Sequence, residues 1–299
     1  MIYTVTLNPA VDYVTHISKL ETGNIMRSEK ESVFFGGKGI NVSTVLHELG
    51  VLSVAMGFLA GFTGKAIEDG MKSKGILTDF VYLENSFTRI NIKIRADEET
   101  DINGRGPDIS TEKTATLLDK LERTHDGDTL VLAGSIPPSL SENTYERIME
   151  RQEGKKINFV VDATGKLLLN SLKYKPFLIK PNTSELSEIF SKEITGVEES
   201  LKYAAKLQEM GAKNVLVSMG AKGAVLLDEY GKDHYMPALD GKVVNTVGSG
   251  DSMVAGFIAG YEKMHDYDYA LKLGTASGSA TACSEGLADA DMINQFMKK

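Results

Sequence analysis

The sequence predicts an α/β fold: a mostly parallel sheet covered by helices on both faces. Three observations carry this. Short apolar runs alternate with amphipathic helical stretches almost throughout the 299 residues. The helical stretches carry recognisable caps. No internal repeat, low-complexity tract or long linker divides the chain, so residues 1–299 read as one domain.

The candidate strands are, in order, Ile2–Leu7, Ser53–Gly57, Thr129–Ala133, Asn158–Asp162, Phe177–Lys180, Asn214–Ser218 and Ala224–Asp228. Between the first two, Val42, Val45, Leu46 and Leu49 follow the i, i+3, i+4, i+7 spacing of a helix that ends at Gly50. Ser110 precedes a helix running to about Leu121, and Ser141, Thr164 and Asn182 are placed to cap later helices. Alternation of strand and helix implies parallel strands joined by crossovers.

Two segments, about 10–36 and 85–105, break the alternation and read as strands without intervening helices. In Arg89–Arg95 the period is two: Ile90, Ile92 and Ile94 on one face, Arg89, Asn91, Lys93 and Arg95 on the other. One face wants a dry partner and the other is basic. These segments are expected to form a small sheet protruding from the main domain. A solvated edge strand protected by its charges explains Lys93 and Arg95 as well, but leaves Arg89 free to face a ligand.

Composition narrows function. Lys plus Arg number 33 and Asp plus Glu 41, a net charge of −8, which disfavours non-specific binding to nucleic acid or to an anionic membrane. The single cysteine, Cys283, rules out an internal disulfide and suits a reducing compartment. The N-terminal MIYTVTLNPAVDY lacks the basic and apolar regions of a signal peptide, and no run approaches about 18 apolar residues, so the cytoplasm is the expected location. The five histidines are scattered without metal-ligand spacing or a nucleophile partner, against a zinc site or a Ser-His-Asp hydrolase.

Glycine-rich turns before helices are the strongest functional signals. Gly36-Gly37-Lys38-Gly39-Ile40-Asn41 opens one helix, where backbone N–H groups and Lys38 could meet an anion. It is not a Walker A loop: Ser32 and Gly39 stand where Gly and Ser or Thr belong. No G-x-G-x-x-G follows a strand, against a dinucleotide-dependent oxidoreductase. Asn245-Thr246-Val247-Gly248-Ser249-Gly250-Asp251-Ser252 precedes a long apolar stretch. Gly248, Ser249 and Gly250 could form a nest for a phosphoryl group in transfer, and Asp251 would sit in the first turn, able to take a hydroxyl proton. The alternative is that Asp251 only complements the helix dipole. Lys180-Pro181-Asn182-Thr183-Ser184-Glu185 follows a strand, where α/β sheets place ligands. Asn182 and Glu185 read either as a capping box or as an oxygen site for Mg²⁺. Gly134-Ser135-Ile136-Pro137-Pro138 and Ser218-Met219-Gly220-Ala221-Lys222-Gly223 would lie along the same sheet edge.

The ordered set of these clusters, together with Thr6-Leu7-Asn8-Pro9-Ala10-Val11-Asp12 and Thr88-Arg89-Ile90-Asn91, resembles the ribokinase-like sugar kinases, in their phosphofructokinase-B branch, over almost the whole chain. The resemblance implies a Rossmann-like, three-layer αβα core with a β lid and a homodimer formed through the lids. It implies ATP and Mg²⁺ as cofactors, a sugar phosphate as the small-molecule partner, and phosphorylation of the 6-hydroxyl of fructose 1-phosphate. Tagatose 6-phosphate is the rival substrate, and an unphosphorylated sugar or a nucleoside the more distant one. On this mapping Asp251 is the general base and Gly248, Ser249 and Gly250 form the anion hole. Asp12, Gly37, Lys38 and Asn41 hold sugar hydroxyls or phosphate, with Ser135 beside them. Arg89, Arg27 and Arg105 neutralise the phosphate. Lys180, Asn182, Ser218, Gly220 and Gly223 line the nucleotide site, and Glu185 helps place Mg²⁺. Ser249 stands where the family often has Ala, and both are small.

Overall fold

The computed structural model describes residues 1–299. The chain opens with β1 (Ile2–Thr6), then β2 (Ala10–His16), β3 (Lys30–Gly36), α1 (Lys38–Glu48), β4 (Ser53–Ala60) and α2 (Gly61–Ser73). Two short strands follow, β5 (Leu77–Thr78) and β6 (Val81–Leu83), then the hairpin β7 (Arg89–Arg95) and β8 (Glu99–Ile102). Strand and helix then alternate: α3 (Thr111–Leu121), β9 (Thr129–Ala133), α4 (Thr144–Glu150), β10 (Asn158–Asp162), α5 (Gly165–Ser171), β11 (Leu178–Ile179), α6 (Thr183–Phe190) and α7 (Val197–Glu209). The last strands are β12 (Asn214–Ser218), β13 (Ala224–Leu227) and β14 (Asp233–Met236), and the chain closes with α8 (Ser249–Met264), α9 (Tyr267–Ala282) and α10 (Ala290–Met297).

The main sheet runs β14-β13-β12-β11-β10-β9-β1-β4-β5, with β6 also pairing β4. It is parallel from β12 to β5; β13 and β14 are antiparallel additions at one edge. Two apolar cores flank it. One joins Val5, Leu130, Leu132 and Val161 to α3, α4, α6 and α7; the other joins Val131, Val160 and Leu216 to α1, α8, α9 and α10. Alternate residues of one strand thus feed opposite cores, which is how a two-sided sheet buries both faces. The three-layer αβα architecture with a small lid is as the sequence implied.

The lid is a four-stranded sheet, β3-β2-β7-β8. Its base packs Val11, Phe35 and Ile90 onto Ile67 and Met71 of α2. Further out, the apolar face is not dry: Val33 is 55% exposed, Ile92 38% and Ile102 54%.

Local expectations hold with three adjustments. α1 ends as expected, with Gly50 at φ +74° after it, and the Ser110 side chain caps α3. Ser141 does not cap α4: its carbonyl accepts from the N–H of Thr144, so a turn precedes the helix and Asn143 occupies the cap position. Thr164 stands at the N-cap of α5 but makes no side-chain cap bond. The run Phe177–Lys180 pairs only over Leu178–Ile179, because Pro181 follows and has no N–H to extend the ladder.

Candidate active site

The parallel strands of the main sheet end at one cleft, and the lid's β2 and β7 form its opposite wall. Thr6 closes β1, Ser218 closes β12, and Gly134, Ala163 and Lys180 directly follow β9, β10 and β11; all five line a cavity of about 530 Å³. From the lid side Asp12, Arg89, Asn91 and Lys93 line it. This is where a doubly wound sheet binds ligands.

Two helices begin at this cavity without side-chain caps. α1 starts after Gly37, and α8 starts after Gly248. Gly37, Lys38, Gly248 and Gly250 all line the space. In the first turns the Ile40 N–H donates to Thr6 Oγ1 and the Ser249 N–H to the carbonyl of Thr246; the remaining N–H groups and two helix dipoles converging on one space suit a multiply charged anion. Gly248 must be glycine here. It takes φ +82°, and a Cβ on it would lie 2.7 Å from Leu287 Cδ2.

Asp251 stands in the first turn of α8 and is buried. Its Oδ2 accepts a hydrogen bond of 2.7 Å from Asn41 Nδ2 on α1. Burial and the nearby charge of Asp162 push its carboxyl up to about 7, against the opposing pull of Lys38, Asn41 and Lys180. That is the range in which a carboxylate serves as a general base at neutral pH. Asn41 therefore touches the base directly, a contact that the sugar-binding role implied for it does not include.

Asp162 ends β10, only 1% exposed. Its Oδ1 receives Lys38 Nζ at 2.9 Å and Lys180 Nζ at 3.4 Å, and its Oδ2 is buried without a partner. Burial raises its pKa, but the two ammoniums outweigh burial and hold it below the usual carboxylate range. Burial likewise pulls Lys38 down, while Asp162 and Asp251 outweigh it and hold its ammonium above the ordinary value. The carboxylate holds both lysine side chains beside the cavity, where an anionic ligand would enter.

On the lid side, Arg89 Nε donates to the carbonyl of Asn8 at 3.1 Å and its Nη1 to the carbonyl of Gly104 at 3.3 Å. Burial lowers its pKa, yet a guanidinium stays charged throughout. Two of its five donors are spent on backbone, which leaves the rest for a ligand.

Asn182 and Glu185 form the capping box: Glu185 N–H donates to Asn182 Oδ1 and Asn182 N–H to Glu185 Oε2, both at 2.8 Å. Both residues also line the cavity, as do Ser135 and Ser218. Ser249 lies between two lining glycines with its Oγ buried and unpartnered. Gly220 and Gly223 flank a turn beyond Ser218 and do not line the cavity; a Cβ on Gly223 would fall 2.1 Å from Met236 O. Arg27 is exposed between β2 and β3. The Arg105 side chain is 69% exposed and pairs with Asp108 at 3.5 Å, so the structure brings neither arginine into the cavity. Sequence reasoning gave no role to Asp162, whose signal was one acid ending an apolar strand run, or to Asn8 and Asn91, which stand in quoted motifs beside Asp12 and Arg89.

The pfkB family carbohydrate kinase profile matches residues 5–293. The chain belongs to the pfkB family of carbohydrate kinases. A 1-phosphofructokinase of Bacillus subtilis is 44% identical over 99% of this chain and 97% of its own. A D-tagatose-1-phosphate kinase of Bacillus licheniformis is 37% identical, with the same coverage. The crystal structure of phosphofructokinase-2 from Escherichia coli in complex with substrates and products superposes with a TM-score of 0.92 at 26% identity, covering 99% of this chain and 98% of the other.

For a carbohydrate kinase the donor set is apt. No cluster of three or more His, Cys, Asp or Glu builds an all-protein metal cage. Mg²⁺ needs none, because it binds through nucleotide phosphates and one or two carboxylates. Glu185, which lines the cavity, fits that requirement. No helix is long and apolar enough to cross a membrane.

Proposed function

We propose that this kinase transfers the γ-phosphoryl group of ATP to the 6-hydroxyl of fructose 1-phosphate, giving fructose 1,6-bisphosphate. The observation that carries the reading is Asp251. It is a buried carboxyl pushed up to about 7, in the first turn of an uncapped helix, and it opens onto a cavity that Lys38, Lys180 and Arg89 also line. In the reaction the sugar O6 bonds to the γ-phosphorus as the bond to the β,γ-bridging oxygen breaks, and the hydroxyl proton passes to Asp251. The N–H groups of the Gly248–Ser249–Gly250 turn and Lys38 would receive charge on the phosphoryl oxygens. Asp12 and Asn41 hold the sugar, and Arg89 its 1-phosphate. Lys180, Asn182 and Ser218 line the nucleotide side, with Gly220 and Gly223 shaping the turn beyond. Mg²⁺ bound with ATP would neutralise phosphate charge, with Glu185 as its protein ligand, direct or through water.

The second reading is D-tagatose 1-phosphate, which differs from fructose 1-phosphate only at C4. The B. licheniformis relative favours it over tagatose 6-phosphate, the rival that the sequence suggested. Coupled assays with ATP over fructose 1-phosphate, fructose 6-phosphate, both tagatose phosphates and fructose decide among them. The highest kcat/KM is expected for fructose 1-phosphate. Comparable values for free fructose would overturn phosphate recognition by Arg89. A homodimer through the lids completes the proposal, on the strength of the exposed apolar lid face.

A further inference from the structure

One amide in the cavity wall has no role so far. Asn91, on β7, is 7% exposed. Its Nδ2 donates to Asp12 Oδ1 at 2.7 Å, and its Oδ1 accepts from the N–H of Gly104 at 3.1 Å. Only this amide orientation serves both neighbours, because the carboxylate needs a donor and the N–H an acceptor. The Gly104 carbonyl is in turn a partner of Arg89 Nη1. The segment after Gly104 is tied down once more, by Asn8 Nδ2 on the carbonyl of Arg105 at 3.3 Å. On its other side Asp12 Oδ2 lies against the bare backbone of Gly36, where a Cβ would sit 2.7 Å from it.

We infer that Asn91 is a positioning residue that sets the orientation of Asp12 and the placement of Arg89 relative to each other, and so governs recognition of the sugar phosphate. The inference rests on the roles given above to Asp12 and Arg89. One end of the amide fixes the carboxylate that meets sugar hydroxyls. The other fixes the strap whose carbonyl aims the guanidinium that meets the phosphate. The nucleotide side of the cavity, at Lys180 and Ser218, makes no hydrogen bond to this amide. Its loss is therefore felt by one substrate and not by the other.

Steady-state kinetics on the full-length protein test this, with wild type, Asn91→Ala and Asn91→Asp assayed side by side. Asn91→Ala should raise KM for the sugar phosphate about tenfold or more, as loss of a hydrogen bond to a charged group does, and leave KM for ATP within about twofold. In an Asp12→Ala background the same change should cost much less, because its partner is already gone. Asn91→Asp keeps the acceptor for Gly104 N–H but sets a carboxyl against Asp12. Protonated, that carboxyl copies the amide. The groups around it are Asp12 on β2 and Arg89 and Lys93 on β7, with Asp101 of β8 paired to Lys93. The ratio of its KM to that of wild type should fall as pH is lowered. Equal rises in both KM values, full additivity with Asp12→Ala, or a pH-independent ratio would each overturn the inference while leaving the kinase reading intact. A wild-type protein that turns over no ketose phosphate overturns both.

Discussion

Asp251 concentrates two opposing demands in one carboxyl. Burial and Asp162 keep its proton on to about 7, so kcat/KM is expected to rise with pH through that region and to level off above it. Asp251→Asn should keep ATP binding and lose turnover by several orders of magnitude; near-normal turnover would remove Asp251 from the chemistry. The same shift has a cost in stability. An unfolded aspartate releases its proton near ~3.9, so between that pH and about 7 the folded state binds the proton more tightly. The stabilisation is whole below the unfolded value and is lost as pH rises through the folded one. Above 7 the native protein carries a buried charge that Asn would not. Asp251→Asn should therefore melt higher than wild type at pH 8, with the gap narrowing toward pH 4. Calorimetric scans at the two pH values check this, and equal melting temperatures at pH 8 would contradict it.

At the scale of elements, α8 holds Asp251 in place because α9 packs directly on it. A Cβ on Gly256 would lie 2.5 Å from Ser277 Oγ and 2.6 Å from the carbonyl of Leu273. A Cβ on Gly274 would lie 2.9 Å from the carbonyl of Met253. Two backbones this close leave no slack, so Gly256→Ala must push the helices apart. A loss of about 1–3 kcal/mol in denaturant unfolding is expected, together with reduced kcat as the first turn of α8 shifts. The apolar stretch Met253–Gly260 was legible in the sequence as a buried helix after a glycine turn, and so was the cleft, because glycine and cap residues sit where strands end. What stayed illegible depended on partners distant in sequence. β14 is four residues at a sheet edge, with no alternation long enough to register. Asp162 reads as one more strand residue until Lys38, from the start of α1, and Lys180, from the end of β11, close around it. The family resemblance implied Arg27 and Arg105 as phosphate ligands, but their side chains lie outside the cavity.

At the scale of the molecule, the lid presents a surface that a single chain leaves uncovered. Tyr13 of β2 pairs in register with Val33 of β3 and with Ile92 of β7, and Ile92 pairs with Ile102 of β8. The four side chains thus form one row across all four strands, on the face away from Asp12, Asn91 and Lys93. Exposure of three of them by a third or more leaves apolar area that a second lid could cover, since the same row on two chains is self-complementary about a twofold axis. Ile92 stands in the middle of that row, and Ile92→Glu would place a charge where two copies meet. Wild type is expected to sediment as a dimer at micromolar concentration and Ile92→Glu as a monomer. The lid of the monomer would lose its dry side and with it the fixed position of Asp12 and Arg89 over the cleft. KM for the sugar phosphate should then rise in the variant while KM for ATP stays. Wild type sedimenting as a monomer would remove the dimer, and a dimeric Ile92→Glu variant would place the interface elsewhere.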